Sequence, residues 1–138
     1  MKLCESLPAA HALTGCDSTS SLYQVGKRVD YTKLLEHVNN GNFSLTTFGI
    51  QNDVEADVSS ARSYVLSLYG KKAKTCSSLD QLRYLMASTT DKPASQLPPT
   101  EDAFKQHVLR ARYQTSIWCQ SHIANPSLAS PVGNGWTV

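Results

Sequence analysis

Leu7-Pro8-Ala9-Ala10-His11-Ala12-Leu13-Thr14-Gly15-Cys16-Asp17-Ser18-Thr19-Ser20-Ser21-Leu22-Tyr23-Gln24-Val25-Gly26-Lys27-Arg28 is the most informative stretch of this chain. Its apolar run opens with Pro8, whose fixed φ and missing amide suit a first helical turn, and predicts a short helix over residues 7–13. Gly15 then lets the chain turn. Asp17 stands where a capping residue would begin one or two further helical turns before Gly26, while the composition of residues 17–23 alone suggests a loop. This order sets the carboxylate of Asp17, a hard oxygen ligand for Mg²⁺ or Mn²⁺, at the edge of a domain. It also sets Gly26 where backbone amides can approach a phosphate attracted by Lys27 or Arg28. The same residues read equally as an N-cap, a turn glycine and two solvated cations. His11, between Ala10 and Ala12, reads as a hydrogen-bonded, partly buried side chain rather than a catalyst.

Outward from this stretch the periodicity is helical. Leu34, Leu35 and Val38 share one side of a helix over residues 31–38, ended by Asn39-Asn40-Gly41-Asn42. Residues 43–50 alternate poorly and predict a turn, an irregular connection or at most a short strand. Val54, Val58, Ala61, Val65 and Leu68 make an apolar helical stripe closed by Gly70. After the basic turn Lys71-Lys72-Ala73-Lys74, Ser78 and Gln81 have capping-box spacing before Leu79, Leu82, Leu85 and Met86. Residues 88–99 carry Pro93, Pro98 and Pro99 and read as an extended connection. Thr100 caps a last helix with Glu101 and Asp102 at its positive end, and Phe104, Val108, Ala111 and Trp118 mark a face running to about residue 123. Arg110 and Arg112 diverge by about 200° around that helix and form no single claw. Pro126 and Ser130-Pro131-Val132-Gly133-Asn134-Gly135-Trp136 predict an irregular tail that Trp136 docks. The expected fold is a small, mainly α domain divided at 1–87, 88–99 and 100–138, with Gly15, Trp118 and Trp136 in structural roles.

Composition narrows the function classes. The 138 residues include 41% hydrophobic and 17% charged side chains, with 13 Lys+Arg against 11 Asp+Glu. A compact core is expected, and any nucleic-acid contact has to be local rather than spread over a basic surface. No run approaches the roughly 18 apolar residues of a membrane span, and the start lacks a signal-like apolar region, so an intracellular protein without a membrane partner is expected. Cys4, Cys16, Cys76 and Cys119 include no CxxC pair and predict reduced thiols. Cys119 and His122 make half of a zinc site at best, and His37 and His107 carry no signature.

The motif resembles part of the flap-endonuclease superfamily, a branch of the PIN-like nucleases, in which a helix ends in a glycine turn and delivers a late metal-binding aspartate. There a helix–turn–helix follows, and its Gly-hydrophobic-Gly turn holds duplex DNA by its phosphates. Gly15-Cys16-Asp17 matches the aspartate turn, so the resemblance gives Asp17 the metal role. Val25-Gly26 matches the second half of the glycine turn, with Arg28 at the basic position, while Gln24 replaces the first turn glycine. The implied fold is the late helical portion of that α/β domain without its amino-terminal parallel sheet. The chain is also similar to a group of poorly characterised animal proteins, many associated with mobile elements, that carry a His-Ala-Leu-Thr-Gly-Cys-Asp-Ser/Thr-Thr-Ser motif. That second likeness continues through Leu97-Pro98-Pro99-Thr100-Glu101-Asp102-Ala103, Arg110-Ala111-Arg112-Tyr113-Gln114, Ile117-Trp118, Ser130-Pro131 and Gly135-Trp136.

Two-metal hydrolysis needs several carboxylates to hold ions about 4 Å apart, and Asp17 is one. Glu5 is the sole acidic residue before it, and first-turn capping accounts for the later acids Asp53, Glu55 and Asp57. The expectation is therefore a fragment-like domain of nuclease descent, not catalytic alone, with weak duplex-backbone contact through Gly26, Lys27 and Arg28. It needs no cofactor by itself and Mg²⁺ or Mn²⁺ only within a completed site. Two alternatives stand beside it. One is a helical protein-interaction module; the other is a structure-specific nuclease whose missing acids come from a partner or an amino-terminal domain.

Overall fold

A computed structural model of the protein describes residues 2–22, 25–50, 52–70, 73, 75–89, 91 and 93–137. Among these lie five α-helices: α1 (Lys2–Thr14), α2 (Lys27–Asn39), α3 (Val54–Leu68), α4 (Leu79–Thr89) and α5 (Glu101–Cys119). 3-10 turns lie at Ser44–Thr47 and Ala94–Gln96, and no strand occurs among the described residues. The chain is mainly helical, as its periodicity predicts, and residues 43–50 form a turn rather than a strand.

α1 sits centrally because its contact face is made of small side chains. Ala9, Ala10 and Ala12 are fully buried beside Leu13, which lets α2, α5 and the Ser44–Thr47 turn pack on the same helix. The helix begins five residues before the predicted start, so Pro8 lies inside it. The bond that proline forfeits is to the carbonyl of Cys4, in the first turn and on an exposed residue, where water substitutes. α5 contributes Phe104, Val108 and Ala111 to the same core as Tyr64 and Val65 of α3 and Leu79 and Leu82 of α4. The connection at 88–99 thus separates stretches of chain that share one core.

Caps read from the sequence are present in detail. Asp53 accepts from the amide of Ala56 at 3.1 Å, and Thr100 from that of Ala103 at 3.3 Å. Gly70 follows α3 at φ 81°, the left-handed conformation that ends a helix. Ser78 Oγ accepts from the amide of Gln81, but the Gln81 carboxamide returns to Ser77, one residue before a standard capping box. The outstanding amide of Leu79 is taken by Glu101 at 2.7 Å, while the amide of Glu101 donates to Asp80 Oδ1 at 3.0 Å. Arg62 of α3 grips both Glu101 oxygens at 3.1 Å. Glu101, read as a dipole-facing acid, therefore stitches three helices together. Burial pushes its carboxyl up, but the Arg62 guanidinium and the Leu79 amide outweigh that and hold it below its ordinary value.

Two expectations at the ends of elements need correction. Asp57 is not a solvent-facing first-turn acid: it is fully buried, and its Oδ2 accepts from Arg112 Nε at 2.6 Å and from the amide of Gly49 at 3.0 Å. α5 ends at Cys119, short of residue 123. The tail then folds back on α5. Tyr113 donates to the Ala129 carbonyl at 2.8 Å, Arg110 donates to the Gly135 carbonyl, and the ring of Trp136 meets that of Tyr113 edge to face at 5.5 Å.

Candidate functional site

The motif folds differently from its reading as helix, turn and second helix. Among the described residues 16–22, no helical turn follows Gly15. Cys16 and Thr19 instead exchange backbone bonds across a tight turn, and Thr19 Oγ1 accepts from the Cys16 amide at 3.1 Å while donating to the Ala12 carbonyl at 2.8 Å. The hydroxyl-rich segment Ser18-Thr19-Ser20-Ser21 favours such local bonds over a helical ladder. Asp17 is exposed at the turn. Cys16 Sγ lies 3.0 Å from Thr19 Oγ1, whose single proton is directed to Ala12, so the thiol donates in that contact. Gly15 is required twice over: its φ is +116°, and a Cβ there would stand 2.7 Å from Ser21 Cα.

The second half of the motif starts a helix. α2 begins at Lys27, four residues before the predicted 31, with Gly26 as N-cap at φ −84° and ψ 170°. Gly26 is therefore no turn glycine, and a Cβ added to it would meet nothing within 4 Å. Tyr23 and Gln24, including the substituted first turn glycine, lie outside the described residues, as do Lys71, Lys72 and Lys74 of the basic turn.

Lys27 is the largest correction. Its ammonium turns back to α1 and donates to the His11 carbonyl at 2.9 Å, to Thr14 Oγ1 at 2.8 Å and to the Gly15 carbonyl. All three protons serve the carboxy-terminal end of α1, where carbonyls lack helical partners and a cation is favourable. It is an internal cap of α1. Arg28 is exposed and its side chain makes no hydrogen bond or ion pair among the described residues.

Beneath Lys27 lies a buried polar cluster with no sequence signature. Asp30 is 6% exposed, and its carboxylate accepts from the Tyr64 hydroxyl and lies 3.1 Å from Thr14 Oγ1. Thr14 Oγ1 therefore stands between the Lys27 ammonium and the Asp30 carboxylate. Burial pushes Asp30 up against the opposing pull of these hydroxyls and of Lys27, and burial lowers Lys27 against the pull of Asp30. Tyr64 is raised well beyond the range of physiological titration by burial and by its bond to Asp30. A first-turn acid such as Asp30 looks from sequence like a dipole partner; its burial depends on Tyr64, 34 positions away.

His11 is exposed rather than partly buried and hydrogen-bonded, and its ring stacks on Trp118 with centroids 5.3 Å apart at 19°. Partial desolvation of the ring and the nearby Lys27 charge hold it below the usual histidine value. These rings wall an open groove of about 510 Å³ between α1, α2 and α5, lined by Cys4, Leu7, Pro8, His11, Lys27, Asp30, Tyr31 and Trp118.

The donor set around Asp17 does not fit a two-metal centre. No group of three or more His, Cys, Asp or Glu side chains able to hold an ion occurs among the described residues, around Asp17 or around Cys119 and His122. No disulfide joins any of the four cysteines among the described residues, and none of the described helices is long and apolar enough to cross a membrane. Compared with known proteins, the chain matches no family model, no curated protein and no solved structure.

Proposed function

We propose that this helical domain contacts the phosphate backbone of duplex nucleic acid through the surface around the start of α2, and does not hydrolyse it unaided. The observation that supports the reading is the Lys27 strap. By holding the Gly15 carbonyl it fixes the turn bearing Asp17 against the start of α2, so the two halves of the motif, far apart in an extended chain, share one end of the molecule. At that end Gly26 supplies no side-chain cap, which leaves first-turn amides of α2 available to a phosphate, and Arg28 adds a charge. The descent suggested by the motif, from the late helical part of a PIN or flap-endonuclease-like domain, fits this division of labour. Asp17 alone supplies one carboxylate, so hydrolysis would require further acids from outside the described residues.

Salt-dependent binding of a short DNA duplex tests the reading. Arg28→Ala is the informative variant, since Lys27 serves the fold. The expected result is weaker binding with a salt slope shallower by roughly one phosphate contact. No binding by the wild type, or equal affinity and slope in the variant, would overturn it.

A further inference from the structure

We infer that the groove between α1, α2 and α5 takes an unpaired nucleobase, so that the domain holds single-stranded nucleic acid beside the backbone surface proposed above. The inference rests on that reading for its phosphate contact but on separate residues for the base. Flat rings surround the opening. His11 and Trp118 are already stacked, Tyr31 is 48% exposed, and Leu7, 37% exposed, adds an apolar edge. Stacking on such rings is tolerant of base identity, because every base presents a π-face.

Size and charge favour this occupant over an amphipathic helix. Cavities of roughly 300–1,000 Å³ enclose single small ligands, whereas a helix seats side chains from three or four successive turns along a longer trough. At about 510 Å³ the groove suits one flat ring with its sugar. Lys27 lines it, and Arg28 follows directly in the chain, so the cationic end of the groove is also the end at which a backbone would run. The Lys27 protons are committed internally, yet its charge still biases the mouth toward an anion. Asp30 at the floor already receives the Tyr64 and Thr14 hydroxyls, which moderates its repulsion.

The chain has two tryptophans, so a Trp136→Phe background leaves Trp118 as the reporter. Titration with a short oligothymidylate is expected to quench Trp118 fluorescence. Tyr31→Ala in that background should weaken single-strand binding roughly five- to fiftyfold while leaving duplex affinity unchanged. Because Tyr31 is exposed, this variant is expected to fold, and circular dichroism checks that it does. Absence of quenching, or single-strand affinity unaltered by Tyr31→Ala, overturns the base groove even where duplex binding persists. Conversely, single-strand binding that depends on Tyr31 without any duplex binding upholds the groove and removes the duplex reading. Displacement of the oligonucleotide by an amphipathic helical peptide, with no loss in Tyr31→Ala, would assign the groove to a protein partner instead.

Discussion

Lys27 Nζ and Thr14 Oγ1 lie 2.8 Å apart, and through this contact the first residue of α2 closes the last turn of α1. The same ammonium reaches the carbonyls of His11 and Gly15, so one flexible side chain replaces the solvent that would otherwise satisfy a helix end. Removing it with Lys27→Met is expected to destabilise the fold by about 1–3 kcal/mol, the range for charge-assisted bonds with partly buried partners. Urea denaturation measures this through a lower midpoint at unchanged slope. Lys27→Arg should recover little, since a planar guanidinium cannot point three donors at converging oxygens as an ammonium does. A loss below about 0.5 kcal/mol in the Met variant, the range of neutral surface changes, would show that water serves the α1 end equally well.

The two motif glycines separate cleanly by substitution. Gly15→Ala meets both a left-handed φ of +116° and the Ser21 backbone at 2.7 Å, and should destabilise by at least ~1–3 kcal/mol. Gly26→Ser meets open space at an N-cap position with extended backbone, and should stabilise by a few tenths of a kcal/mol through a hydroxyl bond to a first-turn amide. Thermal melts of both variants check the opposite signs; equal destabilisation would contradict the N-cap assignment.

What the sequence made legible follows from the range of the interactions. The stripe Val54, Val58, Ala61, Val65, Leu68 and the caps Asp53 and Thr100 are local, and they appear as α3 and the start of α5. Glu101, Asp57 and Asp30 look alike in sequence, each an acid in a first helical turn, yet each is bound by a side chain between 34 and 55 positions away. Nothing in a local pattern distinguishes a dipole partner from a tertiary hub. The Lys27 cap was hidden for a related reason: the Gly-Lys-Arg sequence fits phosphate binding, and only the return of α2 across α1 gives the ammonium internal acceptors. Between Asp17 and Leu22 two local signals compete: Asp17 as a capping residue suggests a helical turn, whereas the hydroxyl-rich composition suggests the loop that forms.

His107 should shape the acid limb of stability. Its Nε2 lies 2.7 Å from the Leu13 carbonyl, which requires a proton on that nitrogen, and the ring is 6% exposed. Burial, aided by Arg110, lowers its pKa below the ordinary 6.5 despite the carbonyl, and burial also lowers His37. The unfolded chain therefore binds protons that the folded one refuses, and stability must fall as pH drops from 6.5 through the folded value. Asp30, raised by burial, works oppositely: its contribution is present at low pH and is lost as pH rises through its folded value. Melting temperatures at pH 7.5 and 5.5 should show net acid destabilisation, with a flatter profile in His107→Gln. Superimposable profiles for the two proteins would exclude His107 as the titrating group.

The Arg112–Asp57 pair is a sharper test of the fold because its surroundings leave no easy substitute. Asp57 is fully buried and also takes the Gly49 amide; Gly49 itself sits at φ 78°, where a Cβ would lie 2.8 Å from the Arg112 carbonyl. The Arg112 side chain is 13% exposed, so loss of either partner breaks a short ion pair where little water can replace the bond. Arg112→Met alone is expected to cost about 3–5 kcal/mol. Asp57→Leu alone should cost a similar amount through loss of the ion pair and of the acceptor for the Gly49 amide. The double variant removes both charges at once, so its loss should be smaller than the sum of the single losses by at least ~1 kcal/mol. A double-mutant cycle in urea measures this coupling; additivity within about 0.5 kcal/mol would mean that the two groups act independently.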